Sequence, residues 1–109
     1  MIYFANYQFT EPESIRDWQA EDKAGIFVIL IRDSKSKSQT YRAIYFGESE
    51  NLSDSGFIKS HHSYDSWIRE AESEGNLYIA TFSMPDSVSD LRQSIVFFLV
   101  KYYHPVCNA

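Results

Sequence analysis

A small set of side chains in this 109-residue chain could do chemistry. His61 and His62 stand side by side, and neutral imidazole is a common metal ligand. Adjacent residues on a helix point about 100° apart, so a shared ion is disfavoured and a polar surface or structural role is expected. His104 and Cys107 have the spacing of half a zinc site, but a tetrahedral centre needs a second half, and the sequence offers none nearby. Cys107 is the only cysteine, which excludes an intramolecular disulfide. Tyr45 and Glu48 add a phenol and a carboxylate a short way upstream of the histidines.

The elements that must position these groups read as follows. Ile2–Phe9 alternates loosely between aromatic and polar residues and predicts a short edge strand. Thr10-Glu11-Pro12-Glu13 has the form of a capping box with proline in the first turn, predicting a short helix with Ile15 and Trp18 on its apolar side. Ile26–Ile31 is continuously apolar, as in a strand covered on both faces. The polar turn Asp33–Ser38 leads to a second strand, Tyr41–Phe46, which Gly47 is expected to stop. Asn51–Ser60 is weakly helical around Gly56; Ser63–Glu74 is a better helix, capped by Ser63 or Asp65 and closed by Gly75-Asn76.

Leu77–Phe82 predicts a third strand, and Met84–Ser87 starts the last helix with Asp or Ser as cap. Val88, Leu91, Ile95, Phe98, Leu99 and Tyr102 follow helical spacing there. Val96, Phe97 and Val100 lie off that face, so the apolar surface is wider than one sheet contact needs. Pro105 ends the helix and an extended tail is expected after it. The class is α+β, a small antiparallel-centred sheet of three to four strands flanked by helices.

Composition narrows the functions. Fifteen acidic against ten basic residues give a net charge of -5 with no basic stripe. Binding several phosphates calls for such a stripe, so nucleic acid is a disfavoured partner. An acidic surface suits a basic partner or simple solubility. The longest apolar runs, Ile26–Ile31 and Ile95–Val100, are far too short to span a membrane. The N-terminus has no basic region of the signal-peptide kind, and a soluble, cytoplasmic protein of bacterial type is expected.

Four fragments, read in order, carry a further signal. Gly25-Ile26-Phe27 opens the first long strand; Tyr45-Phe46-Gly47 closes the second. His61-His62 and Trp67 come next, then Arg92 early in the final helix and Pro105-Val106-Cys107-Asn108 at its end. Their order and spacing resemble the GIY-YIG nuclease family over roughly residues 25–108, with 1–24 as an N-terminal strand and short helix of the same single domain.

The resemblance implies DNA phosphodiester hydrolysis. A motif tyrosine helps activate water, an arginine steadies the phosphate, a last-helix glutamate holds one divalent metal, and a C-terminal asparagine supports the site. Metal and guanidinium charge must meet the developing anionic phosphorane.

Carried over by position, Phe27 replaces one motif tyrosine, while Tyr45 and Asn108 match. His61 or His62 matches a histidine found in many members. Glu48 stands where repair-type members often have lysine, Ser55 where the arginine belongs, and Val96 where the metal glutamate belongs. A valine cannot hold a hard cation, and loss of an arginine clamp costs about three or more orders of magnitude in analogous phosphoryl chemistry. No arginine lies between Arg42 and Arg69, and no acidic residue follows Asp90, so shifting the alignment restores neither role.

The expectation is therefore a catalytically inactive GIY-YIG-fold binding protein. By analogy with small acidic neutralising proteins, it would be an immunity- or inhibitor-type protein for a basic toxin or nuclease. Glu48, Glu50, Trp67 and Tyr103 are the residues expected to meet that partner, although Trp67 also reads as core. Val96, Val100 and Tyr103 are expected to close the old cleft as core, with an exposed docking patch as the alternative. No cofactor is expected. Mg²⁺ or Mn²⁺ belongs only to the alternative, a nuclease with a rearranged site using Tyr45, Glu48, His61 and His62.

Overall fold

Continuous apolarity puts Ile26–Ile31 at the centre of the molecule. The computed structural model describes residues 1–32, 41–54 and 57–108. Its strands are β1 (Ile2–Phe4), β2 (Tyr7–Phe9), β3 (Glu13–Ser14), β4 (Gly25–Arg32), β5 (Tyr41–Ser49) and β6 (Leu77–Ser83). Its α-helices are α1 (Phe57–Ser60), α2 (Tyr64–Ala71) and α3 (Ser89–Tyr103). The four-stranded sheet runs β3-β6-β4-β5, antiparallel throughout, and β1-β2 form a separate hairpin. The chain is an α+β domain.

β4 alternates its side chains between two covered faces. Phe27, Ile29 and Ile31, with Leu77 and Ile79 of β6, pack under Trp67 and Ala71 of α2. Ile26, Val28 and Leu30, with Phe46 of β5, pack under Leu99 of α3 and Phe4 and Phe9 of the hairpin. Phe4 meets Phe9 and Phe46 edge-on at 5.4 and 5.2 Å between ring centroids, a geometry that matches ring edge to ring face.

Register in β5 decides which face Tyr45 joins. Ile29 pairs with Tyr45 and Leu30 with Ala43, which leaves Ile44 as an extra residue. Strict alternation would put Tyr45 on the α3 side with Tyr41 and Ala43. The bulge turns it to the α2 side instead, a known use of bulges, and there it packs beside Phe27 and Trp67.

Several expectations from the sequence are corrected. Ile2–Phe9 is not an edge strand of the main sheet: it folds back on itself through Ala5, which adopts a left-handed φ of 52°. Thr10–Glu13 starts no helix. Thr10 Oγ1 accepts from the Thr81 N–H at 3.0 Å, Ile15 N–H donates to the Leu77 carbonyl, and Glu13–Ser14 add to β6 as an edge strand. With backbone partners offered by β6, the capping signal has no role.

Gly47 does not stop β5 but lies within it, opposite Phe27. α2 ends at Ala71 because Glu72 turns left-handed, and Ser63 makes no side-chain cap bond. α3 begins after Val88 rather than after Asp86 or Ser87, and the tail Val106–Asn108 is a 3-10 turn, not extended.

α3 also presents a different face from the one its spacing suggested. Arg92 and Leu99 are buried, and Ile95, Val96 and Val100 pack on the sheet. Val88, Leu91, Phe98 and Tyr102 are exposed. Ser55, Gly56 and the turn Asp33–Ser38 lie outside the described residues.

Candidate functional site

The bulge at Ile44, the turn before α2 and the α2 helix bring Tyr45, His61 and Trp67 together around Phe27. Ring centroids lie 5.2 Å apart for Tyr45–His61, 4.8 Å for His61–Trp67 and 6.0 Å for Phe27–His61. His62 stacks on His61 at 4.4 Å. Gly47 completes the cluster by absence: a Cβ there would sit 2.5 Å from Phe27 Cζ, so the Phe27 ring fills the space a side chain would need.

Tyr45 and His61 are committed to each other and to Ser63. His61 Nδ1 accepts the Ser63 N–H at 3.0 Å, which assigns the ring proton to Nε2. Nε2 lies 3.4 Å from Tyr45 Oη and donates to it. Burial, then the neighbouring His62, push the His61 pKa down, so the ring is neutral at pH 7. Burial pushes the Tyr45 phenol up, partly offset by a Ser63 hydrogen bond.

A general base needs a free lone pair or a phenolate near neutral pH. Tyr45 keeps its proton, and both His61 nitrogens are in use. Trp67 is 0% exposed, and its indole N–H has no acceptor among the described residues. Trp67 is therefore core, and its expected place at a partner surface is corrected.

Glu48 lies on the opposite side of the sheet from Tyr45 and His61. Its Oε2 accepts from Arg92 Nε at 2.7 Å, while Arg92 Nη1 donates to the Ser87 carbonyl at 2.7 Å and to Ser87 Oγ at 2.9 Å. Arg92 is 1% exposed. Glu48 is thus the counter-charge of a buried guanidinium rather than a free surface carboxylate. Val96 is on this same far side, packed against the α3-facing core.

Asn108 sits at the sheet edge. Its Oδ1 accepts the Phe46 N–H at 2.9 Å and its Nδ2 donates to the Phe46 carbonyl at 3.0 Å, so it satisfies backbone groups that β5 turns away from β4. Tyr103 packs on Phe4 and Phe46 and its hydroxyl accepts the Ala5 N–H. Ser55 lies outside the described residues.

The sheet therefore brings Tyr45, His61, His62 and Phe27 together and separates them from Glu48 and Val96. Among the described residues no three His, Cys, Asp or Glu side chains converge as a metal-binding group. His104 is exposed, whereas the Cys107 thiol donates to the Ser66 carbonyl at 3.7 Å and is pushed up in pKa by burial. No described helix is long and apolar enough to cross a membrane.

Two surface features escaped the sequence reading. Asp22, Glu50 and Asp86, all exposed, rim a recess of about 610 Å³ beside Lys23 and Arg92. These carboxylates come from three separate loops, so no local spacing signals them. A second recess of about 490 Å³ lies between Trp18, Leu52, Ile58 and Tyr64, with Arg16 and Glu74 at its mouth. There Tyr64 donates to Glu74 at 2.5 Å, and that bond, followed by burial, pushes the phenol to about 12.

No family model, no curated protein and no solved structure matches this chain.

Proposed function

We propose that the chain is a non-catalytic binding protein on a GIY-YIG-like frame, of immunity or inhibitor type, with a basic protein as its partner. One observation carries the non-catalytic part. At four of the described family-site positions the polar side chain holds the fold, with His61 bound to Ser63 and Tyr45, Glu48 to Arg92, and Asn108 to Phe46, while His62 is exposed and stacks on the His61 ring. Groups fixed in this way have no free base to offer to a substrate.

The basic partner is supported by the net charge of -5 and by the recess where Asp22, Glu50 and Asp86 meet. Of the four residues first expected to meet a partner, Glu50 alone is both charged and exposed. A lysine or arginine entering this recess would find three carboxylates from separate loops, the complementary charge that speeds encounter and selects partners.

Affinity capture from the native host, followed by calorimetry with the purified basic protein, should give one partner per chain and binding that weakens with salt. The triple variant Asp22→Asn, Glu50→Gln, Asp86→Asn should bind about tenfold or more weakly. Capture of no basic protein counts against the reading.

A second reading, the rearranged nuclease, rests on the Tyr45–His61 contact. It requires Mg²⁺- or Mn²⁺-dependent nicking of plasmid DNA that Tyr45→Phe abolishes, and that result would overturn the non-catalytic reading.

A further inference from the structure

The exposed side of α3 carries an apolar series that its own fold does not cover. Val88 is 67% exposed, Leu91 49%, Phe98 46% and Tyr102 64%. With the half-buried Ile95, they recur at intervals of three, four, three and four residues, which is the a and d pattern of a helix seam. Single exposed apolar residues are ordinary, but a continuous stripe along a 15-residue helix is an interaction surface.

We propose that the stripe is the contact between two copies of this chain, with α3 packed antiparallel on α3. The positions Leu91, Ile95, Phe98 and Tyr102 are symmetric about the midpoint between Val96 and Phe97. A two-fold axis there seats Leu91 against Tyr102 of the second copy and Ile95 against Phe98 of the second copy. A surface must be self-complementary in this way to form a closed dimer.

Charge selects the antiparallel sense. Besides the buried Arg92, α3 carries only Asp90 near its start and Lys101 near its end. At about 100° per residue both lie on the same flank of the stripe, and neither has an ion-pair partner among the described residues. Antiparallel packing brings Lys101 within two residues of Asp90 of the second copy, about 3 Å along the axis, and symmetry repeats the pair. Parallel packing would put the two charged flanks on opposite sides of the seam, where neither pair forms. An anionic membrane is a poor fit, because such surfaces bind helices rich in exposed cations and α3 exposes a single lysine.

Sedimentation equilibrium of the full chain from low micromolar to near millimolar concentration tests this. The expected result is a monomer–dimer equilibrium, weakened roughly 100-fold by Leu91→Glu, because the substitution acts on both copies. Asp90→Lys and Lys101→Asp should each weaken self-association, since each sets like charges across the interface. Mixed one to one, they should form a heterodimer tighter than either homodimer.

All three positions are exposed, and thermal melts of each variant check that folding is intact. A 12.7 kDa monomer at every concentration overturns the proposal. So does a dimer that ignores Leu91→Glu, or a charge pair that shows no heterodimer preference.

Discussion

Removing the Glu48 carboxylate should destabilise the fold more than any ordinary surface ion-pair change. Arg92 is 1% exposed, and among the described residues Glu48 is the anionic side chain that pairs with it. Taking one partner from a buried pair leaves an uncompensated charge, at a cost of about 3–5 kcal/mol. The Glu48 side chain is itself 21% exposed, so water reaches the vacated space and the lower figure, about 3 kcal/mol, applies to Glu48→Ala.

A domain of this size has a stability of about 5–15 kcal/mol, so the loss is a fifth or more of the total. It corresponds to a fall in Tm of roughly 12 °C or more. Glu48→Lys, which installs the residue that repair-type GIY-YIG nucleases often carry, should fold poorly if at all, because it faces a buried guanidinium with an ammonium. Replacing both members, Glu48→Leu with Arg92→Met, should be far milder than either single change, since apolar isosteres of buried pairs are often neutral. Urea titration with a constant slope is the assay. If Glu48→Ala costs less than about 1 kcal/mol, the pair behaves like an exposed one and the structural role given to Glu48 is wrong.

Three further outcomes are expected. Gly47→Ala should cost about 1–3 kcal/mol by overpacking against Phe27, and Phe27→Leu should recover part of that loss in the double variant, as a chemical-denaturation cycle would show. Asn108→Ala should cost about 1–3 kcal/mol by leaving the Phe46 amide and carbonyl unpaired, with faster hydrogen exchange at the Phe46 amide as its signature. His61 has a folded pKa below its unfolded value of about 6.5. The unfolded chain therefore binds more protons in that window, and stability should fall as pH drops through 6.5. His61→Gln should flatten this part of the stability–pH profile measured by thermal melts.

The long strands β4, β5 and β6 were legible, β4 most of all because it needs apolar residues on both faces and says so continuously. α3 was legible as a helix but not in its orientation. Two apolar stripes overlap on it: the helically spaced one through Val88, Leu91, Phe98 and Tyr102 is exposed, while Val96 and Val100, expected as core, pack on the sheet. The buried face also includes Arg92, whose polarity hides a core position until Glu48 and Ser87 are seen around it. Tyr45 could be named but not aimed, since its face depends on the bulge at Ile44. The segment after Thr10 shows local signals losing to a neighbour: the capping residues are present, but β6 offers backbone partners that a short, weakly apolar helix could not outbid. The partner surfaces were the least legible, because the carboxylates of the acidic recess come together only through the fold.

The bridge from Asn108 to Phe46 reaches beyond the site it was first assigned to. β5 is nine residues long and forms one outer border of the sheet, whereas the opposite border, β3, has only two residues. A long open border invites strands from other molecules and can seed runaway polymerisation. One asparagine side chain, offering an acceptor and a donor as a peptide unit does, occupies the Phe46 docking points. The C-terminal turn thus acts as a stopper against strand addition, so that copies of this chain meet through a helix contact that closes on itself rather than through a border that does not.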